Sequence, residues 1–214
     1  MWTGAILAGG QSRRLGGLNK ANLILGPPAA ETPEQERGTT VLARQLARLA
    51  CVVDRTIIIA NKIEEFSEAG VPIIPDIDPG AGAIGALYTA VHSSGTNRTL
   101  VIACDMPFVS ESFLRHLVKT GADADIAIPR TARGYEPLCA TYSRRSAASI
   151  KWLIEEKRLK LSDVALIPDL TIREIGPEEL AAFGHEDELF FNINTPDDYR
   201  RAIDLDGEYR SLRG

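Results

Sequence analysis

The amino-acid sequence predicts an α/β protein with a Rossmann-like, three-layer α/β/α architecture and a mostly parallel central sheet. Short apolar segments alternate with segments of helical periodicity, which is the order of repeated βαβ units. Two strand segments, TIIIA at 56–60 and TLVIAC at 99–104, are apolar throughout, as is typical of parallel strands covered on both faces. No internal repeat or long linker divides the 214 residues, so we expect a single domain over residues 1–214.

The first part of the chain, up to about residue 123, has the clearest alternation. Its predicted elements are, in order, strand GAILA, helix TTVLARQLARLA, strand RTIIIA, a short helix near IEEFSEA, strand VPIIP, helix AIGALYTAVHSS, strand TLVIAC and helix SESFLRHLVKT. In the helix at 41–49, Arg44 and Arg48 are predicted to point outward, opposite a stripe that packs on the sheet. That stripe consists of Val41, Leu42, Gln45, Leu46 and Leu49.

After about residue 124 the pattern is looser. It predicts strands at ADIAIP, LCATYS and LFFNIN, and helices at RRSAASIKWLIEEKR and PDDYRRAID. The last helix is expected to begin with Thr195 as its cap and Pro196 at its first position. The segment at 26–38, GPPAAETPEQERG, predicts an exposed surface loop in preference to a lid over the site.

Composition excludes several functional classes. A net charge of −5 argues against general nucleic-acid binding, and no apolar run is long enough to cross a membrane. The N-terminus lacks the pattern of a secretory signal. Cys51, Cys104 and Cys139 lack metal-ligand spacing and fit reduced thiols, which together with the N-terminus predicts a cytoplasmic protein.

The stretch LAGGQSRRLGGLNK, residues 7–20, follows the first strand and combines four glycines with Arg13, Arg14 and Lys20. Glycine allows close backbone approach to a ligand and clustered cations attract negative charge, so the stretch predicts a polyphosphate site. It lacks P-loop spacing, since Ala21 follows Lys20. A plain glycine-rich connection is the alternative, which the position after a strand of an α/β sheet disfavours.

A rival motif, GAGAIG at 80–85, fits the dinucleotide pattern and is followed by Asp105 at a strand end. In a dinucleotide site the first glycine directly follows its strand, whereas PDIDP intervenes here, so we disfavour a nicotinamide or flavin site. Asp76 and Asp78 within PDIDP are equally explained as turn residues.

Polar side chains follow several predicted strands. Asp105, in TLVIACDMPFVS, is placed to hold Mg²⁺ against phosphates, with capping of a turn or of the helix near Ser110 as the alternative. Asn61, in IIIAN, could recognise a base edge or form a turn. Asn192 and Asn194, in FFNINTP, alternate onto one face of their predicted strand and could contact a substrate or water. The three histidines are scattered and predict no triad or metal site.

These motifs, in type and in chain order, resemble those of the molybdenum cofactor guanylyltransferase family, over nearly the whole chain. The matching segments are LAGGQSRRLGGLNK, Asn61, PDIDPGAGAIGA, ACDMPF and FFNINTPDDY. The resemblance implies a fold of the nucleotide-diphospho-sugar transferase type, with nucleotide bound by residues 1–123 and the acceptor by 124–214. The chain departs from the family at Leu15, Asn19 and Ala86, which stand where Met, Asp and Gly are usual, and in its long 26–38 segment.

The resemblance also implies roles for individual residues. Lys20, Arg14 and Arg13 would be catalytic, Asp105 would carry Mg²⁺, and Asn192 and Asn194 would face the acceptor. The implied nucleotide-binding residues are Leu7, Ala8, Gly9, Gly10, Lys20, Asn61, Asp76 and Asp105. The Gly9-Gly10 pair favours GTP over CTP.

The implied reaction is transfer of GMP from GTP to the phosphate of molybdopterin or the molybdenum cofactor, with release of pyrophosphate. Proteins that deliver the cofactor, or that use it, are possible further partners. A related cytidylyltransferase, an enzyme with another phosphorylated acceptor and a non-catalytic nucleotide-binding protein are the alternatives.

Overall fold

The computed structural model describes residues 1–8, 20–26 and 38–211. In these residues, one large sheet and one antiparallel pair of short strands, β2 and β3, make up the β-structure. The strands are β1 (Trp2–Leu7), β2 (Ile24–Leu25), β3 (Thr39–Thr40), β4 (Arg55–Ile59), β5 (Ile73–Ile74), β6 (Arg98–Ala103), β7 (Ile126–Thr131), β8 (Gly134–Tyr135), β9 (Cys139–Ser143) and β10 (Ile172–Ile175).

Helices connect most of these strands. The α-helices are α1 (Val41–Ala50), α2 (Ala83–Ser93), α3 (Glu111–Thr120), α4 (Ser146–Glu155), α5 (Pro177–Leu180), α6 (Glu186–Leu189) and α7 (Pro196–Ser211). Short 3-10 helices occupy Lys20–Asn22, Ile63–Ala69, Pro79–Ala81, Leu161–Leu166 and Ala181–Phe183. Within the described ranges, no helix is long and apolar enough to cross a membrane.

The central sheet has the order β10-β7-β9-β6-β1-β4-β5, with β8 added to β7. β1, β4, β5 and β6 run parallel, and β7 pairs in parallel with β10. β9 lies antiparallel between β6 and β7. The predicted mostly parallel sheet is therefore confirmed.

Helices cover both faces of the sheet, as the three-layer prediction requires. Side chains of β1 alternate between the faces: Ala5 and Leu7 pack with α2 and α4, whereas Ile6 packs with α1 and α3. The central strands are buried on both sides, which explains why TIIIA and TLVIAC contain so few polar residues.

The predicted strand at LFFNIN is wrong. Residues 190–195 are irregular, and the N–H groups of Phe190 and Phe191 donate to the carbonyls of Glu186 and Glu188 in α6. Phe190 packs under the sheet beside α3, whereas Phe191 and Ile193 pack against β2 and α7. Their burial explains the strand-like pattern, because apolar anchors of an irregular segment can alternate as strand residues do.

The outward orientation predicted for the α1 arginines is also wrong. Arg44 pairs with Asp206 of α7 and donates to the carbonyl of Leu25 at 2.6 Å, and its side chain is only 14% exposed. Arg48 donates to the carbonyl of Pro107 at 2.6 Å. Asp206 of α7 therefore lies beside Arg44, a tertiary contact that local periodicity does not indicate.

The predicted start of the last helix is confirmed. Pro196 opens α7, and Asp198 N donates to Thr195 Oγ1 at 3.1 Å. Most of the predicted 26–38 loop, residues 27–37, lies outside the described residues.

Candidate active site

The candidate site lies where the parallel strands end. β1 pairs Leu7 with Ile59 of β4 and with Ala103 of β6, so the three carboxyl ends lie level with one another. Ala8 N donates to Ile59 O at 2.9 Å, and Cys104 N donates to Leu7 O at 3.0 Å. Residues that follow these strands therefore meet at one edge of the sheet, where α/β proteins bind ligands.

Lys20 joins two distant segments at this edge. Its Nζ lies 2.9 Å from Asp105 Oδ2 and 2.6 Å from Asn194 Oδ1. The side chains of Lys20 and Asp105 are only 16% and 20% exposed, so water screens their ion pair weakly. The structure thus brings together three of the predicted site residues, although Lys20 and Asn194 are 174 positions apart in sequence.

Asp105 is placed by the strand before it and by the C-terminal segment. It lies two residues after the end of β6, and its carbonyl accepts a 3.0 Å hydrogen bond from Ile193 N. The cap of α3 is Ser110, whose Oγ accepts from Phe113 N at 3.2 Å. The alternative role of Asp105 as the cap of that helix is therefore wrong.

Asn61 and Asp76 are linked to each other at the far side of the same edge. Asn61 Oδ1 accepts from Asp76 N at 2.9 Å, and Asp76 Oδ1 accepts from Asp78 N at 3.1 Å. Thr89 Oγ1, on α2, donates to Asp76 Oδ1 at 2.8 Å and receives a 2.9 Å hydrogen bond from Ile77 N. The loop after β5 is therefore fixed by a threonine beneath it.

No sequence motif indicates Thr89 as a site residue. It is fully buried, at 0% exposure, within a helix whose other inward-facing residues are mostly apolar. A hydroxyl within the apolar stretch IGALYTAV is the sequence feature that predicts a hydrogen-bonding role for Thr89, because buried polar groups need partners.

The GAGAIG glycines serve loop packing. Gly80 lies within a 3-10 helix beyond the 75–78 stretch that follows β5, so it does not end a strand. Gly82 has φ +66°, and a Cβ on Gly85 would lie 2.3 Å from the carbonyl oxygen of Asp78. These glycines let the loop turn and approach α2 closely, which explains the motif without a dinucleotide.

Asn192 and Asn194 have different surroundings, so their predicted placement on one strand face is wrong. Asn192 Nδ2 donates to Phe190 O at 2.9 Å within its own segment. Asn194 reaches Lys20, and its backbone N–H donates to Asp198 Oδ2 at 2.9 Å. Partial burial acts to raise the pKa of Asp198, but the hydrogen bonds from Asn194 and Thr195 together outweigh it and lower that pKa. That carboxylate is therefore ionised at neutral pH.

Cys104, next to Asp105, is poorly suited to act as a nucleophile. Burial, followed by the charge of Asp105, raises the pKa of its thiol to about 12. Because the thiolate is the reactive form of cysteine, Cys104 stays inert at neutral pH.

The protein donors at this edge suit a divalent metal only when a bound substrate adds its own oxygen atoms to the coordination. In the part of the chain that the structure describes, no three His, Cys, Asp or Glu side chains are grouped to hold a metal. Asp105 Oδ2 pairs with a cation already, which shows that this carboxylate accepts positive charge. Mg²⁺ is commonly held by one or two carboxylates together with substrate phosphates, and Asp105 fits that scheme.

Four residues predicted for the site lie outside the described residues: Gly9, Gly10, Arg13 and Arg14. Among the predicted site residues that the structure describes, a lysine, a carboxylate near a strand end and amide groups lie at the open edge of a mostly parallel sheet. This is the arrangement of an α/β protein that binds a phosphate-bearing ligand.

The chain belongs to the MobA-like NTP transferase domain family, whose model matches residues 4–165. It is 31% identical to a probable molybdenum cofactor guanylyltransferase of Pelotomaculum thermopropionicum, covering 94% of this chain and 91% of that protein. It is 30% identical to the molybdenum cofactor guanylyltransferase of Desulfosudis oleivorans, covering 94% and 93%.

A solved structure agrees with these relatives. The chain resembles the crystal structure of molybdopterin-guanine dinucleotide biosynthesis protein A from Archaeoglobus fulgidus, with a TM-score of 0.76 and 27% identity. The match covers 96% of this chain and 99% of that one. The predicted family resemblance is confirmed.

Proposed function

We propose that this protein transfers GMP from GTP to the terminal phosphate of molybdopterin or the molybdenum cofactor, forming molybdopterin guanine dinucleotide and pyrophosphate. The observation that carries the proposal is the Lys20 ammonium, 2.9 Å from Asp105 and 2.6 Å from Asn194 at the ligand-binding edge of the sheet. Family membership supports nucleotidyl transfer, and the names of the relatives support GTP and the pterin as substrates.

The proposed reaction needs no covalent enzyme intermediate. An oxygen of the acceptor phosphate forms a bond to the α-phosphorus of GTP while the bond from that phosphorus to the α–β bridging oxygen breaks. The electron pair leaves with pyrophosphate. Such reactions depend on positioning and charge neutralisation more than on a protein nucleophile, in agreement with the protonated state of Cys104.

Lys20 supplies the charge that this chemistry requires. Its flexible stem allows the ammonium to move from Asp105 to the phosphates as they arrive. We propose that Arg13 and Arg14 assist and that Gly9 and Gly10, with Leu7 and Ala8, line the phosphate site. When bound at Asp105, Mg²⁺ would add positive charge against the phosphates.

The remaining residues divide between the two substrates. Asn61 and Asp76 are proposed to contact the nucleotide, because their loop lies beside the ends of β4 and β5. Asn192 and Asn194 are proposed to face the pterin, on the opposite side of Lys20. Strands from both halves share one sheet, which supports a single domain over residues 1–214. Three free cysteines support a cytoplasmic location.

The proposal is tested by incubating the purified protein and Mg²⁺ with molybdopterin and each of the four NTPs in turn. Pyrophosphate release and the product's mass are measured. We expect release with GTP and a product heavier than molybdopterin by one GMP residue. Activity with CTP alone would indicate a cytidylyltransferase, and GTP binding without release would indicate a non-catalytic protein. Either result would refute the proposal.

A further inference from the structure

We propose that Asp198 is a positioning residue for the transfer reaction, because its carboxylate fixes the backbone of Asn194 where the side-chain amide meets Lys20. The inference rests on the proposed function and gives a role to a residue for which the sequence motifs predict none.

Asp198 makes more contacts than a helix cap requires. In a capping box, the carboxylate at the third helical position accepts from the N–H of the cap residue. Asp198 Oδ2 does so, 2.8 Å from Thr195 N, and Thr195 Oγ1 accepts in return from Asp198 N at 3.1 Å. The same oxygen also lies 2.9 Å from Asn194 N, one residue before the cap.

Asn194 depends on this contact because its segment pairs with no strand among the residues that the structure describes. Residues 191–194 are irregular, and Asn194 itself is exposed. On one side, Ile193 is fully buried and its N–H is bonded to Asp105 O at 3.0 Å. On the other side, Asp198 holds the N–H groups of Asn194 and Thr195. The segment is thus tied to Asp105 before Asn194 and to α7 at Asn194 itself.

The contacts form a closed circuit around the ammonium. Lys20 Nζ bonds to Asp105 Oδ2 and to Asn194 Oδ1, and the backbone joins Asn194 through Ile193 to the carbonyl of Asp105. Asp198 lies outside this circuit and fixes the member that is most exposed. Loss of Asp198 would leave Asn194 free to move while Lys20 keeps its partner at Asp105.

The chain offers two matched controls. Asp197 carries the same charge at the same helix end, yet its side chain is 82% exposed and pairs with Arg200. Asp197→Ala therefore removes the charge without touching Asn194. Thr195→Ala removes the other half of the capping box and leaves Asp198 able to accept from Asn194 N. A purely structural role of Asp198 predicts that Asp198→Ala and Thr195→Ala behave alike.

The first experiment compares turnover, KM and thermal stability for Asp198→Ala, Thr195→Ala and Asp197→Ala. We expect both cap variants to lose stability, but only Asp198→Ala to lower kcat, by about 10- to 100-fold, the scale of a misplaced positioning group. We expect the KM for GTP to change less than about threefold, since Asp105 and Lys20 remain in place. Equal losses of kcat in the two cap variants would overturn the proposal.

A double-mutant cycle then tests the route of action. If Asp198 acts through Asn194, adding Asp198→Ala to Asn194→Ala should leave kcat unchanged, because the positioned group is already absent. Independent, multiplicative losses would overturn the proposal. Amide hydrogen exchange gives a readout apart from activity: Asp198→Ala should accelerate exchange at Asn194 N, whereas Asp197→Ala should not.

Failure of the proposed function gives a different pattern. A wild-type protein that releases no pyrophosphate from any NTP would refute the proposed function, and with it the catalytic role of Asp198. An active wild-type protein with coinciding Asp198→Ala and Thr195→Ala kinetics would refute the positioning role alone.

Discussion

Asp105 and Asn194 both contact the Lys20 ammonium, yet the chain holds them by different means. Asp105 follows β6, whose last five residues are buried. β6 lies between β1, which runs parallel to it, and β9, which runs antiparallel. Asn194 belongs to an irregular segment that is fixed by the buried side chain of Ile193 and the carboxylate of Asp198. The sheet supports the first residue, and single contacts support the second.

This difference predicts how each side of the site responds to substitution. On the proposed nucleotide side, loss of a side chain removes its chemistry while the backbone stays in place. On the proposed acceptor side, loss of one contact changes the position of the backbone as well. Effects on the nucleotide side should therefore follow the chemistry of the group, and those on the acceptor side should follow geometry.

The largest effect is expected for Asp105→Asn, which keeps the shape of the side chain and removes its charge. We expect kcat to fall by about 10³-fold, the upper range for loss of one preorganised electrostatic group, because Mg²⁺ would lose its proposed protein ligand. Activity is measured across a Mg²⁺ titration, with the exposed Asp123→Asn as control. An unchanged dependence on Mg²⁺ would contradict the metal assignment.

Lys20→Ala should have the next largest effect. We expect about a 10²- to 10³-fold loss of turnover, since one preorganised cation is removed from the phosphates. Lys151→Ala provides the control, because Lys151 is 57% exposed on α4 and pairs only weakly with Glu155 at 3.7 Å. Near-normal turnover of a folded Lys20→Ala protein would show that Lys20 has no catalytic role.

Thr89→Val should have an intermediate effect that is confined to the nucleotide. The substitution preserves shape but removes the hydroxyl that bonds to Asp76 Oδ1 and Ile77 N. Leaving buried polar groups unpaired costs about 1–3 kcal/mol, so the KM for GTP should rise about tenfold with little change in kcat. Thr89→Ser should restore the KM.

Thr99→Val is the matched control for Thr89→Val. Thr99 is also fully buried, but its hydroxyl has no hydrogen-bond partner in the described part of the chain. Replacing such a hydroxyl by a methyl group should not reduce stability or alter the KM. Equal KM changes in the two variants would show that the Thr89 effect is not specific to the loop.

The smallest effect concerns the pH dependence of stability. Hydrogen bonds lower the pKa of Asp198 in the folded state, so this group stabilises the fold above its ordinary unfolded pKa. That contribution is lost as pH falls through the folded pKa. The Tm difference between wild type and Asp198→Asn should therefore be constant above about pH 5 and shrink below about pH 4. A difference that grows on acidification would contradict the linkage.

The sequence predicted the parallel half of the fold well, because β1, β4 and β6 each end in an apolar run and α1 and α3 have clear apolar faces. It missed β10, whose sequence IREI is short and carries Arg173 and Glu174 on an edge strand. It mistook LFFNIN, residues 189–194, for a strand, since Phe191 and Ile193 alternate as strand residues do while anchoring an irregular segment. The charged residues of a short edge strand produced the first error, and tertiary burial of an irregular segment produced the second.

For the candidate site, local motifs predicted Lys20 and Asp105, and the structure brings them together. They could not predict that Asn194 also contacts Lys20, because the two residues are 174 positions apart in sequence. Thr89 and Asp198 resemble ordinary helix residues in sequence. The sequence predicted Thr195 as the cap of α7, but the contact of Asp198 with Asn194 N depends on the bend of the chain before α7.

The reversed direction of β9 has a consequence for how such proteins can diverge. Because β9 opposes β6 and β7, the 132–138 turn between β7 and β9 returns to the same edge as Asp105. Insertions or deletions in that segment, which contains β8, can remodel the neighbourhood of the proposed acceptor site and leave the pairing of β9 with β6 and β7 in register. The antiparallel strand thus gives this scaffold a place where acceptor preference can evolve independently of nucleotide chemistry.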